Sequence, residues 1–184
     1  MRLVRAHGLG NDYLVLERGP AMTAEWVRSL CDRHTGVGSD GVLEPVPGQG
    51  ADHGVRIWNP DGSVAGMSGN GVRIYARYLA DRGAPARFTV WTGSRVVTCS
   101  VSDERVEVEM GRATAREEAL GVDGAPERGV LVELGNPHCV LWTDSQELDS
   151  LPWRDWGRVL ERHPRFAEGT NVQLARRLGP HTLE

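Results

Sequence analysis

Lysine is missing from this chain of 184 residues: every one of its 21 Lys+Arg positions is an arginine. A pyridoxal phosphate enzyme holds its cofactor as a Schiff base on a lysine, and a Walker-type phosphate loop ends on one, so the chain supports neither chemistry. Cysteine is sparse as well. Cys31, Cys99 and Cys139 are odd in number and widely spaced, which fits reduced thiols rather than a disulfide framework. There is no basic excess either: the net charge is −4 and Arg176-Arg177 is too small a patch, so nucleic acid is not an expected partner. No apolar run approaches the length of a bilayer span. The apolar part of Met1–Ala6 is too short for a signal peptide, so a cytoplasmic chain without a membrane partner is expected. The six histidines, at 7, 34, 53, 138, 163 and 181, show no three- or four-residue pairing, so no metal site is expected.

What is present reads as a globular α+β chain, 40% hydrophobic and 25% charged. Short strands are signalled at Leu3-Val4, Tyr13–Leu16, Val55–Trp58 and Phe88–Trp91. Arg95–Val101 and Arg105–Met110 alternate around Ser102-Asp103-Glu104 as a hairpin. Thr23 caps a helix over Ala24–Cys31 that puts Val27, Leu30 and Cys31 on one face, so Cys31 is expected in the core. Ala, Glu and Gly dominate Arg112–Pro126, which reads as a linker between a first unit, 1–112, and a second, 113–184. In the second unit Gly129–Leu134 and Cys139–Trp142 read as strands around Gly135–His138. Trp153–His163 reads as a helix, and Asn171–Leu174 as a further strand. With no long apolar helix, the second unit looks incomplete beside the first, and an uncovered sheet face is expected to make the isolated chain marginal or prone to associate.

Ser68 carries the first chemical signal. It stands just before Gly69-Asn70-Gly71 and an amphipathic helix with apolar residues at 72, 75, 76 and 79. A helix N-terminus presents unsatisfied N–H groups and partial positive charge, so it can hold a carboxylate and stabilise an anion. Serine is also a favoured N-cap, and that plainer role stands beside the chemical one. Gly36-Val37-Gly38-Ser39-Asp40-Gly41 spells the dinucleotide fingerprint, but it follows a helix and leads into Pro45 and Pro47, which forbid the helix that would hold a pyrophosphate. Gly66-Met67-Ser68-Gly69-Asn70 lacks the last glycine of a hydrolase elbow. Four glycine-bearing patches each place an asparagine at an element end: His7–Asp12, Trp58–Ser63, Ser68–Gly71 and Gly135–His138. Asparagine both donates and accepts, so a set of them suits an α-amino acid with its adjacent ammonium and carboxylate, although Asn and Gly are ordinary turn residues too.

Together with Asp32-Arg33-His34-Thr35-Gly36-Val37-Gly38-Ser39-Asp40-Gly41, Gly71-Val72-Arg73 and Gly169-Thr170-Asn171, these patches make the chain resemble, along its whole length, the diaminopimelate epimerases of the cofactor-independent amino-acid racemase superfamily. The resemblance implies two pseudo-symmetric units, each a curved, mostly antiparallel sheet around a central helix, with substrate in the cleft between them. It implies interconversion of LL- and meso-diaminopimelate, in lysine and peptidoglycan biosynthesis, by moving one α-proton between two cysteines at helix N-termini, with no cofactor. A small-molecule substrate is the implied partner, and family members often form homodimers. Carried over by position, Asn11, Asn59 and Asn171 would bind the distal amino-acid end of the substrate. Gly69 and Asn70 would meet the reacting carboxylate, Asn136 would line the cleft, and His138 would position or polarise the reacting groups. Ser68 stands where the family has its first catalytic cysteine, and a hydroxyl is a far weaker acid than a thiol. The sequence ends before the family's Glu-Arg pair and second cysteine. Two other readings therefore stand beside an epimerase: a related isomerase of another amino acid, and a non-catalytic amino-acid-binding relic.

Overall fold

A computed structural model describes residues 1–167 and 169–184. The chain divides into two compact units, Met1–Met110 and Gly111–Glu184.

The first unit opens with a hairpin of β1 (Arg2–Gly8) and β2 (Asn11–Arg18). Its two-residue turn, Leu9-Gly10, has both φ values positive, at 56° and 87°, the conformation that matches the right-handed twist of paired strands. From β2 the chain crosses through α1 (Ala24–Cys31), capped by Thr23 as its sequence predicts, to β3 (Val42–Val46), which pairs parallel with β2. Strands β4 (His53–Trp58) and β5 (Val64–Ala65), helix α2 (Gly69–Ala80), and strands β6 (Arg87–Trp91), β7 (Val96–Val101) and β8 (Val106–Val108) follow. The sheet runs β1-β2-β3-β4-β6-β7-β8, with β5 beside β4. The predicted hairpin of β7 and β8 is present. Helix α2 packs on both terminal strands, β1 and β8, as well as on β2, β4 and β7, so the sheet curls around it.

Period-two alternation divides β2 between two cores. Tyr13 and Val15 join the α2 side with Leu43, Ile57, Val72, Tyr75 and Val90. Leu14 and Leu16 join the α1 side with Val27, Cys31, Val42 and Trp58. A strand covered on both faces has no reason to alternate, which accounts for the continuous run Tyr13–Leu16. Each such fully buried aliphatic side chain contributes about 1.5–3 kcal/mol. Gly36–Gly41 is the connector from α1 to β3. A Cβ on Gly36 would lie 2.0 Å from the Ser29 carbonyl, so the glycine is demanded by close packing of the loop on α1.

The second unit has β9 (Thr114–Ala119), β10 (Arg128–Glu133), β11 (Pro137–Trp142), a 3-10 turn at Leu148–Ser150, α3 (Trp153–Glu161) and β12 (Asn171–Ala175). Its sheet runs β12-β11-β10-β9, and a small hairpin of β13 (Arg177–Gly179) and β14 (Thr182–Leu183) follows. Leu120, Leu131, Cys139 and Leu141 meet Trp156 and Leu160 of α3 in one core. The expected linker Arg112–Pro126 is corrected here: it contains β9, paired with β10 from Thr114↔Glu133 to Ala119↔Arg128. As an exposed edge strand, β9 is held by its ladder and by ion pairs such as Arg128–Glu117 at 3.1 Å, so it carries no apolar alternation to betray it. The expected bare sheet face is half right. Helix α3 covers the Leu131–Leu141 face, while Trp142 on the other face is 40% exposed.

The two units share a plan. Hairpin β10–β11, helix α3 and parallel strand β12 repeat β1–β2, α1 and β3. Leu9-Gly10-Asn11-Asp12-Tyr13-Leu14-Val15-Leu16 lines up with Leu134-Gly135-Asn136-Pro137-His138-Cys139-Val140-Leu141. The registers agree: Leu14 pairs with Val42, and Cys139 with Val172. Tyr13 and His138 are therefore counterparts. No helix of the described residues is long and apolar enough to cross a membrane.

Candidate functional site

Ser68 is the N-cap of α2, extended at φ −144°, with Oγ accepting from Gly71 N–H at 3.0 Å. Glycine at 71 lets the cap close tightly, since a Cβ there would lie 3.2 Å from both Ser68 Oγ and Leu43. The first turn of α2 carries no acidic residue of its own to offset its partial positive charge. The Gly69 and Asn70 N–H groups have no acceptor among the described residues. Asn70 Oδ1 accepts from Arg73 one turn on, which turns its amide along the helix. A Cβ on Gly8 would lie 3.8 Å from the Asn70 side chain, so the end of β1 sits against this terminus. The His7–Asp12 and Ser68–Gly71 patches are thus one place.

Tyr13 ties β2 to that place. Its hydroxyl donates to Ser68 Oγ at 3.1 Å, its ring is buried, and burial raises its pKa, so it stays protonated. Sequence reasoning missed it. The only signal was its position two before Val15 on the face turned toward α2. Beside it, Asp12 binds Arg33 at 2.6 Å and Arg5 at 2.6 Å, and Arg33 also holds Asp40 at 2.7 Å. The hydrogen bond from Arg33 leads in holding the Asp12 carboxyl down at about 2. Asp40 in turn accepts from the Asp12 backbone N–H at 3.0 Å and from Asn11 Nδ2 at 3.5 Å, so this ion-pair group holds the Asn11 amide. Asn59 closes its own turn, where Nδ2 donates to Ser63 Oγ at 2.9 Å and its backbone N–H donates to the Ser63 carbonyl at 2.9 Å.

In the second unit Asn136, His138 and Asn171 come together, with Gln173 as a member that the sequence did not single out. Gln173 Nε2 donates to His138 Nδ1 at 3.1 Å, and His138 Nε2 lies 3.1 Å from Asn136 Oδ1. A ring nitrogen that accepts carries no proton, so this pattern assigns the neutral Nε2–H tautomer, which donates to Asn136. Asn171 Nδ2 donates to the Pro137 carbonyl at 3.2 Å. All three cysteines are free and buried. Burial raises the Cys31 and Cys139 thiols and pushes Cys99 up to about 11, the wrong direction for a thiolate base.

The first unit is thus a curled sheet wrapped on a helix whose N-terminus is capped by Ser68. In fold, the chain matches a probable proline racemase from Agrobacterium radiobacter K84 with a TM-score of 0.68 at 20% identity, over 94% of this chain and 66% of that one. The family model for diaminopimelate epimerase matches residues 3–115. Diaminopimelate epimerase from Synechocystis sp. is 35% identical over 97% of this chain and 72% of its own length. The enzyme of the same name from Pelotomaculum thermopropionicum is 33% identical over 100% of this chain and 74% of its own length. The chain belongs to the diaminopimelate epimerase family.

Proposed function

We propose that this chain handles diaminopimelate as an epimerase of lysine and peptidoglycan biosynthesis, interconverting its LL and meso forms at one α-carbon without a cofactor. The observation that carries the reading is the Ser68 terminus. The Gly69 and Asn70 N–H groups, without acceptors among the described residues and with no acidic residue in their own turn, suit the substrate's α-carboxylate as negative charge builds on deprotonation. Ser68 Oγ already accepts from Gly71 and Tyr13, which occupies its lone pairs and leaves its own proton to give. Ser68 is therefore the donor on one face: the α-C–H on the opposite face breaks as its proton passes to solvent hydroxide, the Ser68 O–H breaks as the α-carbanion takes its proton, and the alkoxide regains a proton from water, which restores the hydroxide. Asn11, with Asn59, takes the distal ammonium and carboxylate. Asn136, His138 and Asn171 are the substrate-binding candidates of the second unit, His138 as a hydrogen-bonding group. The reading carries with it a cytoplasmic chain, a small-molecule partner and association as a homodimer.

Incubation with LL- and meso-diaminopimelate in D2O tests this. Slow wash-in of α-deuterium, unequal from the two isomers, is expected. Ser68→Cys should raise the rate about 10²–10⁴-fold, the range of a well-matched acid or base. An unchanged rate removes position 68 from the chemistry.

A second reading, an amino-acid-binding module without turnover, is favoured by the hydroxyl at position 68 and by the burial of every cysteine. Saturable binding of diaminopimelate with no exchange, in the native chain and in Ser68→Cys alike, would select it.

A further inference from the structure

Tyr13 is a buried phenol whose hydroxyl meets one side chain, Ser68, among the described residues. Its placement is built rather than incidental. The ring lies on β2 in the core around α2, and the connector after α1 makes room for it: a Cβ on Gly41 would lie 2.7 Å from Tyr13 Cε1 and 2.2 Å from the Trp58 carbonyl. Gly41 is held in turn by Ser39 Oγ, which donates to its carbonyl at 2.9 Å, and the same carbonyl accepts from Leu14 N–H at 3.0 Å. The glycine run that spells a dinucleotide fingerprint thus shapes the wall on which Tyr13 rests.

We propose that Tyr13 is a positioning residue for the reacting group at position 68, its hydroxyl donating to that side chain and favouring the form that carries negative charge. The inference rests on the reading of position 68 as the reacting group. Two donors, the Tyr13 O–H and the Gly71 N–H, converge on one oxygen at the positive end of a helix, and a donor to the charged form lowers the pKa of the group it meets. A phenol kept protonated by burial holds that role across neutral pH. Tyr13 neither touches substrate nor accepts a proton. It orients the position 68 side chain and steadies the anion that side chain becomes.

The test places a titratable reporter at position 68. In Ser68→Cys, the pH dependence of alkylation by iodoacetamide reports the introduced thiol, because Cys31, Cys99 and Cys139 are buried. Ser68→Cys/Tyr13→Phe removes one oxygen and leaves the ring. We expect the thiolate midpoint to lie about one pH unit higher in the double variant, an approximately tenfold loss of reactive thiolate below the midpoint, with an unchanged thermal transition. Coincident titration curves overturn the proposal. Should the double variant not fold, 3-fluorotyrosine incorporated into Ser68→Cys strengthens the donor; a downward shift of the midpoint supports the contact and no shift overturns it. Failure of the epimerase reading is seen separately, as absence of diaminopimelate binding and exchange, and leaves the thiol titration unaffected.

Discussion

Strands β2 and β11 occupy the same place in the two units, yet β2 is buried at five successive residues and β11 only at Cys139 and Leu141. The difference lies in what covers them. Helices α1 and α2 lie on opposite faces of β2, whereas among the described residues α3 covers a single face of β11. The comparison separates two jobs that the shared plan performs. The crossover helix, α1 or α3, makes a core; the helix inside the curl, α2, makes a core and also presents the N-terminus capped by Ser68. Tyr13 meets that terminus, while its counterpart His138 spends both ring nitrogens on Gln173 and Asn136.

Substitutions at equivalent positions should split accordingly. The largest difference is expected between Gly41 and its counterpart Asn171, which precede Val42 and Val172. Gly41→Ala forces a Cβ against the Trp58 carbonyl and should cost at least about 3 kcal/mol in urea unfolding. Asn171→Ala removes one hydrogen bond and should cost about 1 kcal/mol. Equal losses would break the equivalence. Next come Val15, which is 0% exposed, and the half-buried Val140. Val15→Ala should cost about 2–3 kcal/mol, and Val140→Ala under about 1 kcal/mol.

Acid distinguishes the units further. Asp12, whose counterpart is Pro137, has its folded pKa depressed from 3.8 to about 2. A depressed carboxyl adds stability that is complete above the unfolded value and is lost as pH falls through the folded one. Unfolding followed from pH 5 to pH 2 should therefore steepen in stability loss below about 4, and Asp12→Asn should flatten that window. The smallest effect is spectroscopic. The ¹⁵N shifts of His138 near neutral pH should report Nε2–H, and Gln173→Leu should release that preference with little change in stability. A native Nδ1–H tautomer would contradict the hydrogen-bond pattern.

Much of the first unit was legible because its signals are local. Thr23 and Ser68 are capping residues directly before amphipathic runs, and their side chains do accept from Trp26 and Gly71. Strand β9 was illegible for the opposite reason: Thr114–Ala119 buries almost nothing, and only pairing with β10 makes it a strand. Ile74, 5% exposed, was also missed, because the curl of the sheet widens the covered face of α2 beyond one narrow stripe.

The order of glycine and asparagine patches along the chain was enough to identify the family, since turn geometry and close backbone approach constrain residue types one position at a time. Lysine's absence likewise set aside Schiff-base chemistry without any coordinates. Folding alone decided which patches meet. The Ser68 terminus is joined to the end of β1 and to Tyr13, 55 residues away, while Asn59 closes on its own turn. Hydrogen bonds and buried contacts act over a few ångströms regardless of separation along the chain. The partner of a hydroxyl, the tautomer of His138 and the charge held on Asp12 are therefore properties of the packed molecule.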